Sequence, residues 1–178
     1  MMVAFLLEDM QNLGKRIVVV GVSASGKSTF SRVLAQKLNL PLILMDSIMW
    51  QSGWQYIGDK ETVEKLDIAS SEVEWIIEGY ITKEARTFIF KRADTIIYLD
   101  YPKVIATWRY MKRWWKHRIQ ARPELQGSPE KFNWEFLKLV WSKGEAISLN
   151  KFLRAVSNQE KIIRLTSRKD TKQLLENL

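Results

Sequence analysis

Five short apolar runs divide the chain, at residues 16–20, 42–45, 75–77, 95–99 and 161–165, and β-branched residues are frequent in them. Runs of this length that are mostly apolar, without strict alternation, predict strands covered on both faces, the pattern of a parallel sheet. The first four end in Gly21, Asp46, Glu78 and Asp100. Between them apolar residues recur at helical spacing. Phe30, Val33, Leu34 and Leu38 predict a helix closed by Asn39 and Pro41, and Val63, Leu66, Ala69 and Val73 predict another capped by Asp59. Thr82 opens a short helix toward Arg92, and Pro102 starts a longer one reaching to about residue 120. Pro123, Gly127 and Pro129 interrupt the pattern, so 121–131 reads as a loop or lid. A helix over 134–156, weakened at Gly144, and a closing helix over 171–178 complete the chain. Strands alternating with helices predict an α/β fold of three layers, with a mainly parallel five-stranded sheet and a helical lid.

At 178 residues the chain fits one domain, with residues 1–14 expected as an N-terminal extension, 15–178 as the folded unit and about 109–133 as the lid. Its opening residues are apolar only briefly and run into Glu8 and Asp9, unlike a secretory signal. Charges interrupt every apolar segment well before the ~20 residues that span a bilayer, so no membrane partner is expected. Cysteine is absent, which excludes disulfides, thiolate metal sites and thiol nucleophiles and is compatible with a cytoplasmic protein.

The strongest chemical signal is Gly21-Val22-Ser23-Ala24-Ser25-Gly26-Lys27-Ser28, which matches G-x-x-x-x-G-K-[ST] between a predicted strand and a predicted helix. Glycines let the backbone curl so that its amides point inward, and the helix adds its positive N-terminal end, which makes a cradle for polyphosphate. Such a loop is expected of a P-loop NTPase. Lys27 is expected to reach the β- and γ-phosphates, Ser28 to coordinate Mg²⁺, and Thr29 to support the loop or the α-phosphate.

Ligands of an open parallel sheet gather beyond the carboxyl ends of its strands, where Asp46, Glu78 and Asp100 are predicted to lie. Phosphoryl transfer uses one carboxylate to hold the hydrated metal and often another to orient the acceptor. Glu78 is the expected metal partner and Asp46 the acceptor residue, with Asp100 an alternative for the metal. Trp50 and Arg86 are expected beside the acceptor.

The formal charge of +8 is concentrated. Lys103, Arg109, Lys112, Arg113, Lys116, Arg118 and Arg122 follow one another with no carboxylate between them, and they account for nearly all of the excess of 28 basic over 20 acidic residues. Such a patch predicts a local anion site in preference to a uniformly basic surface. Arg109, Lys112, Arg113 and Lys116 form one helical stripe, while Trp108, Met111 and Trp115 share another face and are expected to pack inward. Arg113, Arg118 and Arg122 are expected to neutralise the transferred phosphoryl group from the lid, with Arg109 on the nucleotide side. His117 reads as a surface residue.

With these residues assembled, the chain resembles the adenylate-kinase-like P-loop small kinases, and more closely the FlaR-type proteins labelled DNA topology modulation proteins. The resemblance rests on residues 21–29, on 42–46 with Trp50 and Trp54, on 75–80, on 93–100 and on Pro129-Glu130-Lys131-Phe132-Asn133-Trp134-Glu135-Phe136. It implies a nucleoside-monophosphate-kinase-like fold, ATP with Mg²⁺, an arginine-bearing lid, and adenine contacts near Thr166, Ser167 and Arg168. Sequences of this type often carry Asp where this chain has Glu78. The expected function is ATP-dependent transfer of the γ-phosphoryl group to a small acceptor, with nucleotides and nucleosides as candidates. The alternative is a nucleotide-dependent regulatory or DNA-associated ATPase. Nucleic acid is disfavoured as a partner because the aromatic and basic residues segregate around the helix. A monomer or weak dimer is expected.

Overall fold

In chain order the elements are β1 (Arg16–Gly21), α1 (Lys27–Leu38), β2 (Leu42–Leu44), α2 (Met45–Met49), β3 (Trp50–Gln51), β4 (Gln55–Tyr56) and α3 (Asp59–Ala69). Then follow β5 (Trp75–Glu78), α4 (Lys83–Arg92), β6 (Thr95–Leu99), α5 (Lys103–His117), α6 (Trp134–Ser142), α7 (Gly144–Arg154), β7 (Ile162–Leu165) and α8 (Arg168–Glu176). This computed structural model describes residues 13–178 except 120, 123, 124, 126 and 143. Residues 1–12 of the expected extension and the expected helix end at 120 therefore lie outside the described residues.

Five strands form one parallel sheet in the order β2-β5-β1-β6-β7. The central strand shows why the apolar runs lack alternation. Ile17 and Val19 face a core built with Phe30 and Leu34 of α1 and Leu174 of α8, while Val18 and Val20 face Leu66 of α3, Ile89 of α4 and Leu149 of α7. Ile17, Val18 and Val19 are completely buried, and each such side chain stabilises the fold by roughly 1.5–3 kcal/mol relative to exposure. The three expected layers are present.

Several ends differ from the expectations. β2 stops at Leu44, so Asp46 lies in the first turn of α2 instead of at a strand end. Asp59 is the first residue of α3, with Gly58 as the cap, and Val73 lies beyond the helix and is exposed. The expected helix over 134–156 is present as Trp134–Ser142 and Gly144–Arg154, on either side of residue 143, which lies outside the described residues, and it ends at Arg154. Thr82 caps α4 as expected, its hydroxyl accepting from the Ala85 amide.

The largest correction concerns α5. Its buried side chains are Ala106 and Tyr110, and Trp108, Met111 and Trp115 point outward with 55%, 38% and 63% exposure. Small Ala106 packs on Val22 of the phosphate loop, and Tyr110 stacks on Phe136 of α6 at 4.9 Å. That packing brings Arg109 and Arg113, which flank Tyr110 in the helical turn, toward the sheet.

Asp94 ties the start of the sheet together. Its carboxylate accepts from the Lys15 amide at 3.0 Å, the Arg16 amide at 2.9 Å and the Arg16 guanidinium at 2.7 Å. Burial pushes the Asp94 pKa up, but the hydrogen bonds from Arg16 and Lys15 and the charge of Arg16 outweigh it and hold the carboxyl below its ordinary value. Its stabilising contribution is therefore complete above the unfolded pKa and is lost as pH falls through the depressed folded value. Asp94→Ala should lower stability by about 1–3 kcal/mol near neutral pH in denaturant titrations, with a smaller difference from wild type at strongly acidic pH.

Candidate active site

The phosphate loop joins β1 to α1. Gly26 caps the helix at φ 95°, in the left-handed region that an L side chain rarely adopts, and Ala24 shares that region at φ 60°. The turn closes with the Ser25 amide donating to the Val22 carbonyl at 3.1 Å. Lys27 folds back to donate to the same carbonyl at 2.9 Å, and Ser25 of the loop is fully buried. Arg109 reaches across from α5 to donate to the Ser25 carbonyl, with its guanidinium 4.9 Å from the centre of the Tyr101 ring.

Glu78 ends β5 beside this loop and is buried. Burial pushes its pKa up, the charges of Lys27 and Arg32 and a hydrogen bond with Ser28 pull it down, and the Asp46 carboxylate pushes it up again. The net direction is upward. Among the described residues no group of three or more Asp, Glu, His or Cys side chains could hold a metal. The oxygen pair of Ser28 and Glu78, with Asp46 near, suits a magnesium ion that takes its remaining ligands from phosphate and water.

The opposite wall is an antiparallel hairpin of β3 and β4. Trp50 sits 5.7 Å from Trp54 and 5.4 Å from Tyr56, ring centre to ring centre. The segment after α5 lies against this hairpin. Ser128 Oγ accepts from the Gly53 and Trp54 amides at 2.9 and 3.2 Å, and Trp54 Nε1 donates to the Pro129 carbonyl at 3.0 Å. Gly127 makes the approach possible, because its φ is 76° and a methyl group there would collide with Ser52 Oγ.

Four side chains alternate in charge along this contact. Arg122 pairs with Asp46 at 2.9 Å and with Glu130 at 2.9 Å, and Glu130 also pairs with Arg113 at 3.2 Å. Glu130 and Arg122 are buried. For Arg113, burial disfavours the charge, lowering its pKa, while Glu130 supports the charge and Arg122 opposes it. Taken together, the loop residues, Asp46, Trp50, Glu78, Arg86, Arg109, Arg113 and Arg122 line one cleft of about 1560 Å³.

Arg118 is not brought there. It is exposed, with its guanidinium 3.7 Å from the centre of the Trp115 ring, and it does not line the cleft. Asp100 also stays outside, accepting from Tyr98 Oη at 3.0 Å and pairing with Arg164 at 3.7 Å. His117 lines the cleft and is only partly exposed. Sequence reasoning missed Glu130, Ser128 and Tyr101. Glu130 did carry a signal, as an acidic residue soon after a long run of cations.

The geometry agrees with the comparisons. The structure is similar to a gluconokinase from Sinorhizobium meliloti 1021, with a TM-score of 0.54 and 14% identity over 93% of this chain and 89% of that one. It is similar to shikimate kinase from Bacteroides thetaiotaomicron, with a TM-score of 0.59 and 16% identity over 91% and 94% of the two chains. Shikimate kinase from Aquifex aeolicus vf5 gives a TM-score of 0.51 and 20% identity over 90% and 91%. The fold is that of the small P-loop kinases. In sequence, the pentafunctional AROM polypeptides 1 and 2 of Lodderomyces elongisporus are 34% identical over a stretch covering 30% of this chain. The match spans 4% of the length of those curated relatives. No protein-family model matches the chain. Among the described residues no helix is long and apolar enough to cross a membrane.

The upward shift of Glu78 fixes the sign of a pH effect. A carboxyl with a raised folded pKa favours folding at low pH, and that advantage is lost as pH rises through the folded value. In metal-free buffer, Glu78→Gln should become progressively more stable relative to wild type as pH rises above the ordinary glutamate range of about 4.3. Denaturant titrations of both proteins across this range measure the difference.

Proposed function

We propose that the protein is an ATP-dependent phosphotransferase that moves the γ-phosphoryl group to a small acceptor. The observation that carries this reading is the shared cleft, in which a phosphate-binding loop at a helix N-terminus faces an acidic residue, Asp46, and two arginines. Each group then has a role. Loop amides and the helix end hold the polyphosphate, and Lys27 exchanges the Val22 carbonyl for phosphate oxygen. Ser28 and Glu78 hold Mg²⁺, which neutralises phosphate charge when bound. Arg113 and Arg122 supply positive charge where negative charge develops, and Glu130 keeps them oriented. Asp46 accepts a hydrogen bond from the acceptor hydroxyl once Arg122 turns toward phosphate. Arg109 lies over the loop on the nucleotide side, with the base held near Thr166, Ser167 and Arg168. Kinship with the FlaR-type proteins belongs to the same proposal.

Phosphoryl transfer depends on positioned charge more than on covalent chemistry. Incubation with γ-labelled ATP, Mg²⁺ and a panel of nucleotides, nucleosides and hydroxylated metabolites should yield a labelled acceptor. Lys27→Ala should lower that transfer by about 10²–10³-fold while its circular dichroism spectrum stays unchanged. Equal turnover by the two proteins would overturn the assignment of Lys27.

A second reading gains support from the outward tryptophans. Trp108 and Trp115 are exposed beside Lys112, Lys116 and Arg118, and cations lie over both rings at 5.3 and 3.7 Å. Interleaved exposed aromatics and cations suit single-stranded nucleic acid. If α5 is such a surface, an oligonucleotide should bind with an affinity that falls steeply with salt and is weakened in the Trp108→Ala, Trp115→Ala double variant. Absence of binding at low salt would remove this reading.

A further inference from the structure

Arg86 carries a charge that the protein itself does not neutralise. It lies in the first turns of α4, where Ala85 and Ile89 face the core, and its side chain is drawn in with them to 6% exposure. Its Nε donates to the Ile81 carbonyl at 2.9 Å, and one Nη makes a long contact of 3.4 Å with Ser148 Oγ. The Tyr80 and Phe152 rings lie near the guanidinium at 5.6 and 5.7 Å. Among the described residues no carboxylate lies within ion-pair distance of it. Arg113 and Arg122 differ, because they share Glu130 and Arg122 also holds Asp46, and Arg109, which has no carboxylate partner among the described residues either, is less buried than Arg86 and is engaged by the Ser25 carbonyl of the phosphate loop.

A buried cation is costly unless an anion accompanies it. Arg86 lines the same cleft as Asp46 and Glu78, so a ligand there can supply that anion. The bond to Ile81 and the two rings restrict the guanidinium plane, and apart from the long contact to Ser148 Oγ its Nη hydrogens have no hydrogen-bond partner among the described residues. A planar fork held in this way matches a carboxylate or a phosphoryl group, which can accept two parallel hydrogen bonds.

We infer that the acceptor is itself an anion, a hydroxylated carboxylate or phosphate ester whose charged group pairs with buried Arg86 while its hydroxyl lies at Asp46. The inference rests on the kinase reading above and narrows it, because neutral polyols and unphosphorylated nucleosides leave Arg86 without a counter-charge. Arg86 thereby becomes a specificity-determining residue.

The test separates the two levels. Wild type, Arg86→Gln and Arg86→Lys are first saturated with Mg²⁺ and a non-hydrolysable ATP analogue, whose thermal shift reports the nucleotide site. Inorganic phosphate and glycolate are then titrated separately, one probe for each anion chemistry. At least one should raise the melting temperature of wild type further. Arg86→Gln should keep the nucleotide shift and weaken anion binding by at least about 30-fold, with partial rescue in Arg86→Lys. In transfer assays, label should pass to gluconate in preference to glucose, or to AMP in preference to adenosine, and Arg86→Gln should lose that preference. Nucleotide binding with anion effects that are absent, or equal in wild type and Arg86→Gln, overturns this inference alone. If the analogue binds neither protein, the kinase reading fails, and the same titration in a Lys27→Ala background decides whether Arg86 is an anion site.

Discussion

Parallel pairing of β1 with β5 and β6 is the constraint from which the site follows. Val19 lies opposite Glu78 and Gly21 opposite Leu99, so the phosphate loop begins just beyond the level at which Glu78 leaves the sheet. Leu44 of β2 also pairs with Glu78, which brings Asp46 to the same rim. Burial on both faces leaves little freedom in this register, because sliding one strand by a residue would exchange the contents of the two cores. The positions of Ser28, Asp46 and Glu78 are thus inherited from packing that takes no part in chemistry.

Electrostatics adds a second level of organisation. The cleft gathers acidic and basic groups in an interior where isolated charge is costly, and it does so by alternation. Among the described residues Asp46, Arg122, Glu130 and Arg113 alternate in charge along one series, and Glu78 has Lys27, Arg32 and Ser28 for company. Glu130 keeps the two arginines near each other despite their repulsion. Such a series can exchange partners when phosphate enters, since a ligand anion can replace a protein carboxylate without exposing a bare cation.

Much of this was legible in the amino acids. Strands buried on both faces announce themselves as unbroken apolar runs, and the phosphate loop is a local motif whose spacing is set by backbone geometry. The expected arrangement of α5 failed for a physical reason. Its tryptophan face and its arginine face have the same helical period, and the ordinary rule that apolar side chains turn inward does not hold where the interior is a polar cleft. The hairpin at 50–56 was also hidden, because strands of two residues have no periodicity and Trp54 adopts φ 62° without being glycine. Glu130 could be suspected as a partner for cations, but which arginines it meets depends on how a long connection folds over the sheet. Ser128 gave no warning at all, since its hydroxyl serves amides some 75 residues away.

That distant attachment has a mechanical meaning. The aromatic hairpin is fastened to Ser128 and Pro129 of the segment after α5 by three hydrogen bonds. Glu130, next in the chain to Pro129, also holds Arg122, so a molecule wedged against Trp50 would press on a wall joined to the guanidinium that shields Asp46. Under the proposed transfer reaction, arrival of cargo and unmasking of the acid would be coupled, leaving few moments in which a stray water could take the phosphate.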